Sequence, residues 1–183
     1  VSNNPNNSVS VIQTSDNKVV DTVDVGETPE GVAVSVDGAY VFVANSGSNN
    51  VSVIQTSNNT NIMTVPVGKS PFGVTTNPAT TSFPPTVFVT NSFSDNMIVL
   101  LAGPPFNSIS FNPETEFAPV GECPGGVAGA NTGRDFGLAA FVANGDSNTV
   151  SIVNVFLLKT IGTTTVGQAP VGIVATPEGG MVY

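Results

Sequence analysis

The residues able to do acid–base or metal chemistry are few and widely spread. The sequence has 13 Asp and Glu, four Lys and Arg, one cysteine and no histidine. Histidine-based triads, imidazole acid–base catalysis and His-ligated zinc are therefore excluded. Glu27 with Glu30, and Glu114 with Glu116, are the closest pairs of glutamates, but neither has a recognisable acid–base partner. We interpret both pairs as solvated loop acids.

The single cysteine, Cys123, cannot form an intramolecular disulfide. A thiol nucleophile without a histidine beside it is a weak prediction, so we interpret Cys123 as a small, half-buried loop residue. These residues together predict no catalytic site, no metal site and no cofactor.

Charge and hydrophobicity limit the kinds of partner that the chain can bind. The 183 residues carry a net charge of −9, and only 9% are charged while 40% are hydrophobic. The chain can therefore bury a core, but it cannot bind nucleic acid through a basic patch. No run approaches the roughly 18 apolar residues of a membrane-spanning helix, so we expect no membrane insertion.

Three short motifs recur in a fixed order along the chain. VGxxPxG occurs four times, and a VFVAN-like run and a VSVI-like run alternate with it. The copies of the first motif are residues 25–31, 67–73, 120–126 and 166–172; those of the second are 41–45, 87–91 and 140–144; those of the third are 9–12, 51–54, 97–100 and 150–153. Such regular self-similarity indicates a repeat architecture.

Each repeat reads as four short strands, bounded by turn residues and rich in β-branched side chains. In the first complete unit the predicted strands are 31–34, 39–44, 51–55 and 62–67. Asp37-Gly38 predicts a type I′ hairpin turn between the first two. The predicted strand that begins at the second glycine of VGxxPxG suits a crowded inner position. Within its predicted bounds it contains no Asp or Glu. In the third unit this strand, 126–129, is predicted to be weak.

Residues 31–45 and 48–56 resemble the YVTN-type β-propeller repeat found in surface-layer-like proteins. The resemblance covers the whole chain in four units, 1–42, 43–88, 89–141 and 142–183. It implies an all-β propeller of four-stranded antiparallel blades, placed outside the cell or on its surface. The implied role is a structural or adhesive scaffold that contacts protein or glycan. Lactonases similar to this family use acidic channel residues, which the predicted inner strands lack, so we expect no enzyme activity from this chain. The alternative is a segment of a larger extracellular enzyme with its active residues elsewhere.

One blade is predicted to be split between the two termini. Residues 181–183 followed by 1–3 would read MVYVSN, which matches the VFVAN motif. Three arrangements follow: a small ring that closes on itself, a segment of a larger propeller, or pairing of half-blades between copies into an oligomer or filament. The sequence leaves all three open.

The polar turns after the VFVAN runs are predicted to share one face, together with the VGxxPxG segments. An amide-rich face could bind a glycan, a peptide or Ca²⁺, although Asn and Ser also serve turns by themselves. Asp95 and Asp146 are expected at corresponding turn positions. The candidate binding residues are Asn45, Asn50, Asn91, Asp95, Asn144 and Asp146.

Two further sets of residues could mediate contacts at the surface. Phe83, Phe106 and Phe111 lie in Pro-rich inserts, where they either form an exposed interface patch or pack back on their own blade. Asn6, Asn50 and Asn58 each begin an N-x-S/T sequon in a predicted turn, so they are candidate glycosylation sites of a secreted chain.

Overall fold

The chain folds into β-strands in the computed structural model, which describes residues 1–77, 86–103, 108–110, 117–132, 137–176 and 179–183. Sixteen strands in this part of the chain form four antiparallel sheets. Within the same ranges, no helix has the length and apolar character needed to cross a membrane.

The sheets follow one another along the chain, each built from consecutive strands. The N-terminal half-blade contains β1 (Ser2–Asn3), β2 (Ser8–Gln13) and β3 (Lys18–Asp24). The first blade contains β4 (Pro29–Val34), β5 (Tyr40–Asn45), β6 (Asn50–Gln55) and β7 (Thr60–Pro66). The second contains β8 (Pro71–Asn77), β9 (Thr86–Asn91), β10 (Asn96–Gly103), β11 (Ser108–Ser110) and β12 (Phe117–Pro119). The third contains β13 (Pro124–Asn131), β14 (Leu138–Asn144), β15 (Thr149–Asn154) and β16 (Lys159–Thr165).

Residues 171–176 and 179–183 form a further hairpin, which we call the C-terminal hairpin. Val174 and Tyr183 exchange two backbone hydrogen bonds of 2.9 Å, and Ala175 pairs with Val182. This register repeats that of β4 with β5, in which Val34 pairs with Val41. The hairpin therefore supplies the inner two strands of one more blade.

Adjacent sheets pack face to face through apolar side chains. Phe42 of the first blade shares a buried cluster with Val87 and Ile98 of the second, and Phe88 of the second packs with the third blade. Val9 of the half-blade packs with the first blade in the same way. Because each sheet hides its apolar faces against its neighbours, no blade has a complete core alone. The predicted all-β propeller is confirmed.

The inner strands stand side by side around a cavity of about 340 Å³. They approach so closely that only glycine fits at the second glycine of the first three VGxxPxG copies. A Cβ on Gly31 would lie 2.4 Å from the carbonyl oxygen of Phe72, and one on Gly73 would lie 2.5 Å from that of Gly125. The motif is thus explained by the contact between successive inner strands.

The row of sheets is open at its two ends. Among the described residues, no backbone hydrogen bond joins residues 1–24 to residues 166–183. A Cβ on Gly167 or Gly172 would meet nothing within 4 Å, unlike those on the equivalent glycines of the other copies. The two halves of the split blade therefore lie apart within one chain.

Two details differ from the sequence prediction. The inner strand of the third blade, β13, is eight residues long and pairs with β14 at Pro124 and, after a bulge, from Val127 to Asn131, so the prediction of a weak strand was wrong. At the first hairpin only Gly38 has a positive φ, +72°, whereas a type I′ turn needs two such residues. Asp37 instead accepts hydrogen bonds from the Ser35 hydroxyl and the Ala39 N–H, which stabilises a longer loop.

We expect Asp37 to make the first blade sensitive to acid. The Ser35 hydroxyl, followed by the Ala39 N–H, lowers the pKa of Asp37 below its ordinary value of 3.8. Stability from this carboxylate is present above that ordinary value and lost as the pH falls through the lower pKa of the folded state. Urea denaturation at pH 7 and below pH 4 should show a smaller acid-dependent loss for Asp37→Asn than for wild type. An equal loss in both proteins would contradict this role.

Candidate functional site

The VGxxPxG segments and the turns between the second and third strands of each blade meet at one end of the propeller, which we call the crossing face. In four equivalent turns, a residue with positive φ accepts a hydrogen bond from a crossing N–H. The distance from the backbone nitrogen to the side-chain Oδ1 is 3.1 Å for Thr28 and Asn7, and 2.8 Å for Ser70 and Asn49. It is 3.0 Å for Cys123 and Asp95, and 2.8 Å for Ala169 and Asn148.

The first three crossings are also bound to the turn of the next blade. Serine hydroxyls of that turn accept from the crossing backbone at Glu27, Lys69 and Glu122, with distances of 3.0, 2.8 and 2.7 Å to Ser48, Ser94 and Ser147. The crossing carbonyls in return accept backbone N–H groups from that turn. The backbone of the crossing face is therefore held rigidly by hydrogen bonds that recur in successive blades.

Three of the predicted binding residues form a buried clasp between blades. Asn45, Asn91 and Asn144 are fully buried at the ends of β5, β9 and β14. The Asn144 amide donates to Thr149 and Ser151 at 3.0 and 2.9 Å, and its oxygen accepts from the Gly121 N–H of the preceding crossing at 3.1 Å.

The first glycine of VGxxPxG leaves the space that this asparagine side chain occupies. A Cβ on Gly121 would lie 2.7 Å from the Asn144 side chain, and one on Gly68 would lie 2.6 Å from that of Asn91. The equivalent approach of Gly26 to Asn45 is 2.7 Å. The Oδ1 atoms of Asn45 and Asn91 have no hydrogen-bond donor within range. We call each such glycine–asparagine contact a Gly–Asn clasp.

Burial changes what the predicted binding residues can do. Asn45, Asn91 and Asn144 present no surface to a ligand, and Asn50 is half-buried, with its oxygen accepting from Asn45. Asp95 and Asp146 are exposed, but their expected equivalence was wrong. Asp95 matches Asn49 and Asn148 as a left-handed capping residue, and Asp146 lies two residues earlier in its turn.

The exposed positions of the crossing face differ in chemistry from blade to blade. Glu27, Lys69 and Glu122 are exposed at one repeated position, and the turn residues bonded to them are Gly47, Phe93 and Asp146. Phe93 is 76% exposed. Phe93 was not among the binding residues predicted from the sequence. The signal that could have found it is its place in a polar turn where another copy has glycine.

The acids and the thiol in this region form no reactive cluster among the described residues, where no group of three potential metal ligands occurs. Burial raises the pKa of the Cys123 thiol above 9.0, and the nearby carboxylates of Asp146 and Asp95 raise it further. The thiolate is therefore scarce at neutral pH, in agreement with a structural role for Cys123.

The prediction that inner strands carry no acid was wrong at one position. β4 begins at Pro29, so Glu30 lies in an inner strand and lines the central cavity. The Asn4 amide donates to its carboxylate at 3.3 Å. The strand begins earlier than predicted because Pro29 already pairs with Asn45, across a bulge that follows.

The remaining candidate residues divide between exposed positions and undescribed ones. Asn6 and Asn58 are exposed, so glycosylation there stays a prediction. A glycan on Asn50 would disrupt the hydrogen bond that its amide donates to the Ser48 carbonyl. Phe83, Phe106 and Phe111 lie outside the described residues, as do most residues of both inserts.

Comparisons with known proteins agree on the fold. A family model described as a YNCE-like beta-propeller matches residues 1–85. A search of curated proteins finds no match. Hydrazine synthase of Kuenenia stuttgartiensis is 22% identical with a TM-score of 0.75, over 94% of this chain and 47% of that one. A functionally unknown protein from Desulfotomaculum acetoxidans is 17% identical with a TM-score of 0.73, over 91% and 51%.

The β-propeller domain of Swd1 from Myceliophteria thermophila is 12% identical, with a TM-score of 0.66 over 94% of this chain and 54% of that domain. Likeness at these identities establishes the fold alone: the chain is a β-propeller made of repeated blades. It spans about half the length of each of these structures.

Proposed function

We propose that the chain is a non-enzymatic scaffold of the YVTN-type propeller class, secreted or displayed at a cell surface, that contacts glycan or protein through its crossing face. The observation that carries this proposal is the contrast between a repeated, hydrogen-bonded backbone and the exposed side chains it presents. Lys69 and Phe93 lie next to each other, because the Phe93 N–H donates to the Lys69 carbonyl at 3.2 Å. A rigid backbone with variable exposed side chains is suited to binding.

Phe93 is the centre of the proposed contact surface. A phenylalanine ring that is 76% exposed leaves apolar area in water, which a ligand could cover. Its two neighbours in the turn are serines held by hydrogen bonds: the Ser92 hydroxyl donates to the Pro124 carbonyl, and the Ser94 hydroxyl accepts from the Lys69 N–H. An aromatic face bordered by hydrogen-bonding groups can stack against a sugar ring or anchor a protein side chain.

Composition and sequons support an extracellular location. The chain has few lysines and arginines and one cysteine, while the exposed Asn6 and Asn58 each begin a glycosylation sequon. These features are compatible with secretion, and the resemblance to surface-layer-like repeats adds to them. Mass spectrometry of the protein from its source cells would test the location and the glycans together.

Phe93→Ala is expected to weaken binding at this face by about tenfold or more, the loss of about 1.4 kcal/mol typical of a buried aromatic anchor. The wild-type chain should first be screened on an array of bacterial and archaeal glycans, and on peptides of surface proteins. The best hit is then titrated against Phe93→Ala and against Phe156→Ala, which removes a ring from the opposite end of the third blade. Equal affinities for all three proteins would reject Phe93 as the anchor.

A second candidate function is a propeller segment of a larger extracellular, lactonase-like enzyme. Glu30 favours it, because this carboxylate lines the central cavity. The chain also spans less than half of the hydrazine synthase chain it matches. Assays of the chain with chromogenic lactones and added Ca²⁺ would test it; turnover that disappears in Glu30→Gln would favour the enzyme.

A further inference from the structure

The central cavity combines a carboxylate with an aromatic ring. Its volume of about 340 Å³ is at the lower end of the roughly 300–1,000 Å³ that is usual for small-ligand pockets. Glu30 contributes the carboxylate and Phe72 contributes the ring. The other side chains on its wall are aliphatic, namely Val32, Val74, Val127 and Ile173.

The repeat places Glu30 and Phe72 on neighbouring strands at the same level. Both residues precede the second glycine of VGxxPxG, Glu30 on β4 and Phe72 on β8. The two strands approach closely here, because a Cβ on Gly31 would lie 2.4 Å from the carbonyl oxygen of Phe72. The third copy of the motif has Gly125 at this position, so β13 adds no side chain at this level.

The carboxylate of Glu30 has no cationic partner in the part of the chain that the structure describes. The Asn4 amide donates to it at 3.3 Å, and the ion pair found in these ranges joins Lys18 to Asp16 elsewhere. Glu30 is half-buried, so its charge is partly shielded from water. An opposite charge is attracted more strongly in such a place than in open solvent, since the local dielectric constant is lower.

The ring of Phe72 is accessible at this cavity. Phe72 is 37% exposed, although Phe42 and Phe88 in the second strands of the first two blades are fully buried. The face of a phenyl ring attracts cations electrostatically, and guanidinium groups also stack on it. The aliphatic walls suit the methylene groups that such cations carry.

The charges at this end of the propeller also favour a cation. The described charged side chains of the crossing face are mostly acidic: Glu27, Glu30, Asp95, Glu122 and Asp146, against Lys69. Their combined field attracts positive ligands. A metal ion fits less well, because Ca²⁺ takes about six to eight oxygen ligands. No group of three potential metal-ligating side chains occurs among the described residues.

We propose that the central cavity binds an organic cation, a guanidinium or alkylammonium group held by the carboxylate of Glu30 against the ring of Phe72. The same group is carried by a free amine and by an arginine or lysine side chain of a protein. Glu30 and Phe72 belong to the first two complete blades. The proposal does not depend on the role of Phe93.

A heteronuclear NMR titration of the 183-residue chain tests this site. The probes are agmatine as the free cation, a blocked glycine–arginine–glycine peptide, and the same peptide with neutral citrulline in place of arginine. We expect the cationic probes to shift the N–H resonances of Gly31 and Gly73, which line the cavity. The citrulline peptide should bind at least tenfold more weakly than the arginine peptide, because it lacks the charge.

Two variants separate the carboxylate from the ring. Glu30→Gln keeps the shape of the side chain and should weaken cation binding about tenfold or more. Phe72→Leu should weaken it about threefold, an effect typical of a cation–π contact. Asp24→Asn removes an exposed carboxylate outside the cavity, and Phe156→Leu removes a ring at the opposite end of the propeller. Both controls should bind as wild type does, and circular dichroism verifies that every variant is folded.

The result also identifies the source of the cation. Binding of the arginine peptide without agmatine would assign a protein side chain, and binding of agmatine alone would assign a free amine. The proposal is overturned if neither cation shifts Gly31 and Gly73 at millimolar concentration, or if Glu30→Gln binds as tightly as wild type. Displacement of agmatine by Ca²⁺, with Phe72→Leu unchanged, would overturn it in favour of a metal site. None of these outcomes alters the test of Phe93, which uses other ligands and a different variant.

Discussion

Gly73→Ala is expected to lower the free energy of unfolding by about 3 kcal/mol or more, or to prevent folding. The added Cβ would lie 2.5 Å from the carbonyl oxygen of Gly125 and 3.2 Å from the Cα of Gly126. Both atoms belong to the backbone of the next inner strand, so neither can rotate away as a side chain would. The second blade could accommodate the methyl group only by moving away from the third. Urea denaturation followed by circular dichroism measures the loss.

Gly172→Ala is the matched control for this prediction. It is the same substitution at the same position of the repeat, but nothing lies within 4 Å of the new Cβ. Its free energy of unfolding should stay within about 0.5 kcal/mol of wild type. If both variants lost the same stability, the cost would belong to glycine in this motif generally, and the contact between inner strands would not explain it.

Asn144→Ala should cost about 3 kcal/mol, because it removes a buried group with three hydrogen bonds and leaves a cavity. The Gly121 N–H and the hydroxyls of Thr149 and Ser151 would lose their partner, and of these three residues Ser151 is buried while the other two are partly buried. The same denaturation experiment checks this value. Asn144 was also a candidate ligand-binding residue. A loss of stability in this variant would show that the side chain serves the Gly–Asn clasp.

Asn3→Ala is the control for the Gly–Asn clasp. Asn3 makes two similar side-chain bonds but is partly exposed and meets no glycine of a preceding blade in one chain. Its replacement should cost about 1 kcal/mol, the net value of an ordinary hydrogen bond. Equal losses at Asn3 and Asn144 would show that the glycine contact adds nothing.

The fold was predictable because local and global signals agree within each repeat. β-Branched runs at blade spacing predicted four-stranded units, and the observed β4 to β7 begin within two residues of the predicted strands. The exception is Asp37-Gly38, where a side-chain network around Asp37 supports a different loop. That network depends on the Ser35 hydroxyl, whose position a dipeptide rule does not include.

The site was less predictable, because sequence does not distinguish a buried amide from an exposed one. Asn45 and Asn49 lie four residues apart in one turn, yet one is a buried clasp and the other an exposed cap. What separates them is contact with the preceding blade, which lies at Gly26 for Asn45. The sequence shows that VG and asparagine recur at fixed spacing. It does not show that the glycine and the asparagine are in contact in the folded chain.

Successive inner strands touch through the second glycine of the first three VGxxPxG copies, so that the sheets fan around one axis. A crystal structure of the 183-residue chain tests this most directly. We expect Gly31, Gly73 and Gly126 each to lie in van der Waals contact with the backbone of the next inner strand. Sheets stacked in two layers, with these glycines in separate turns, would contradict it.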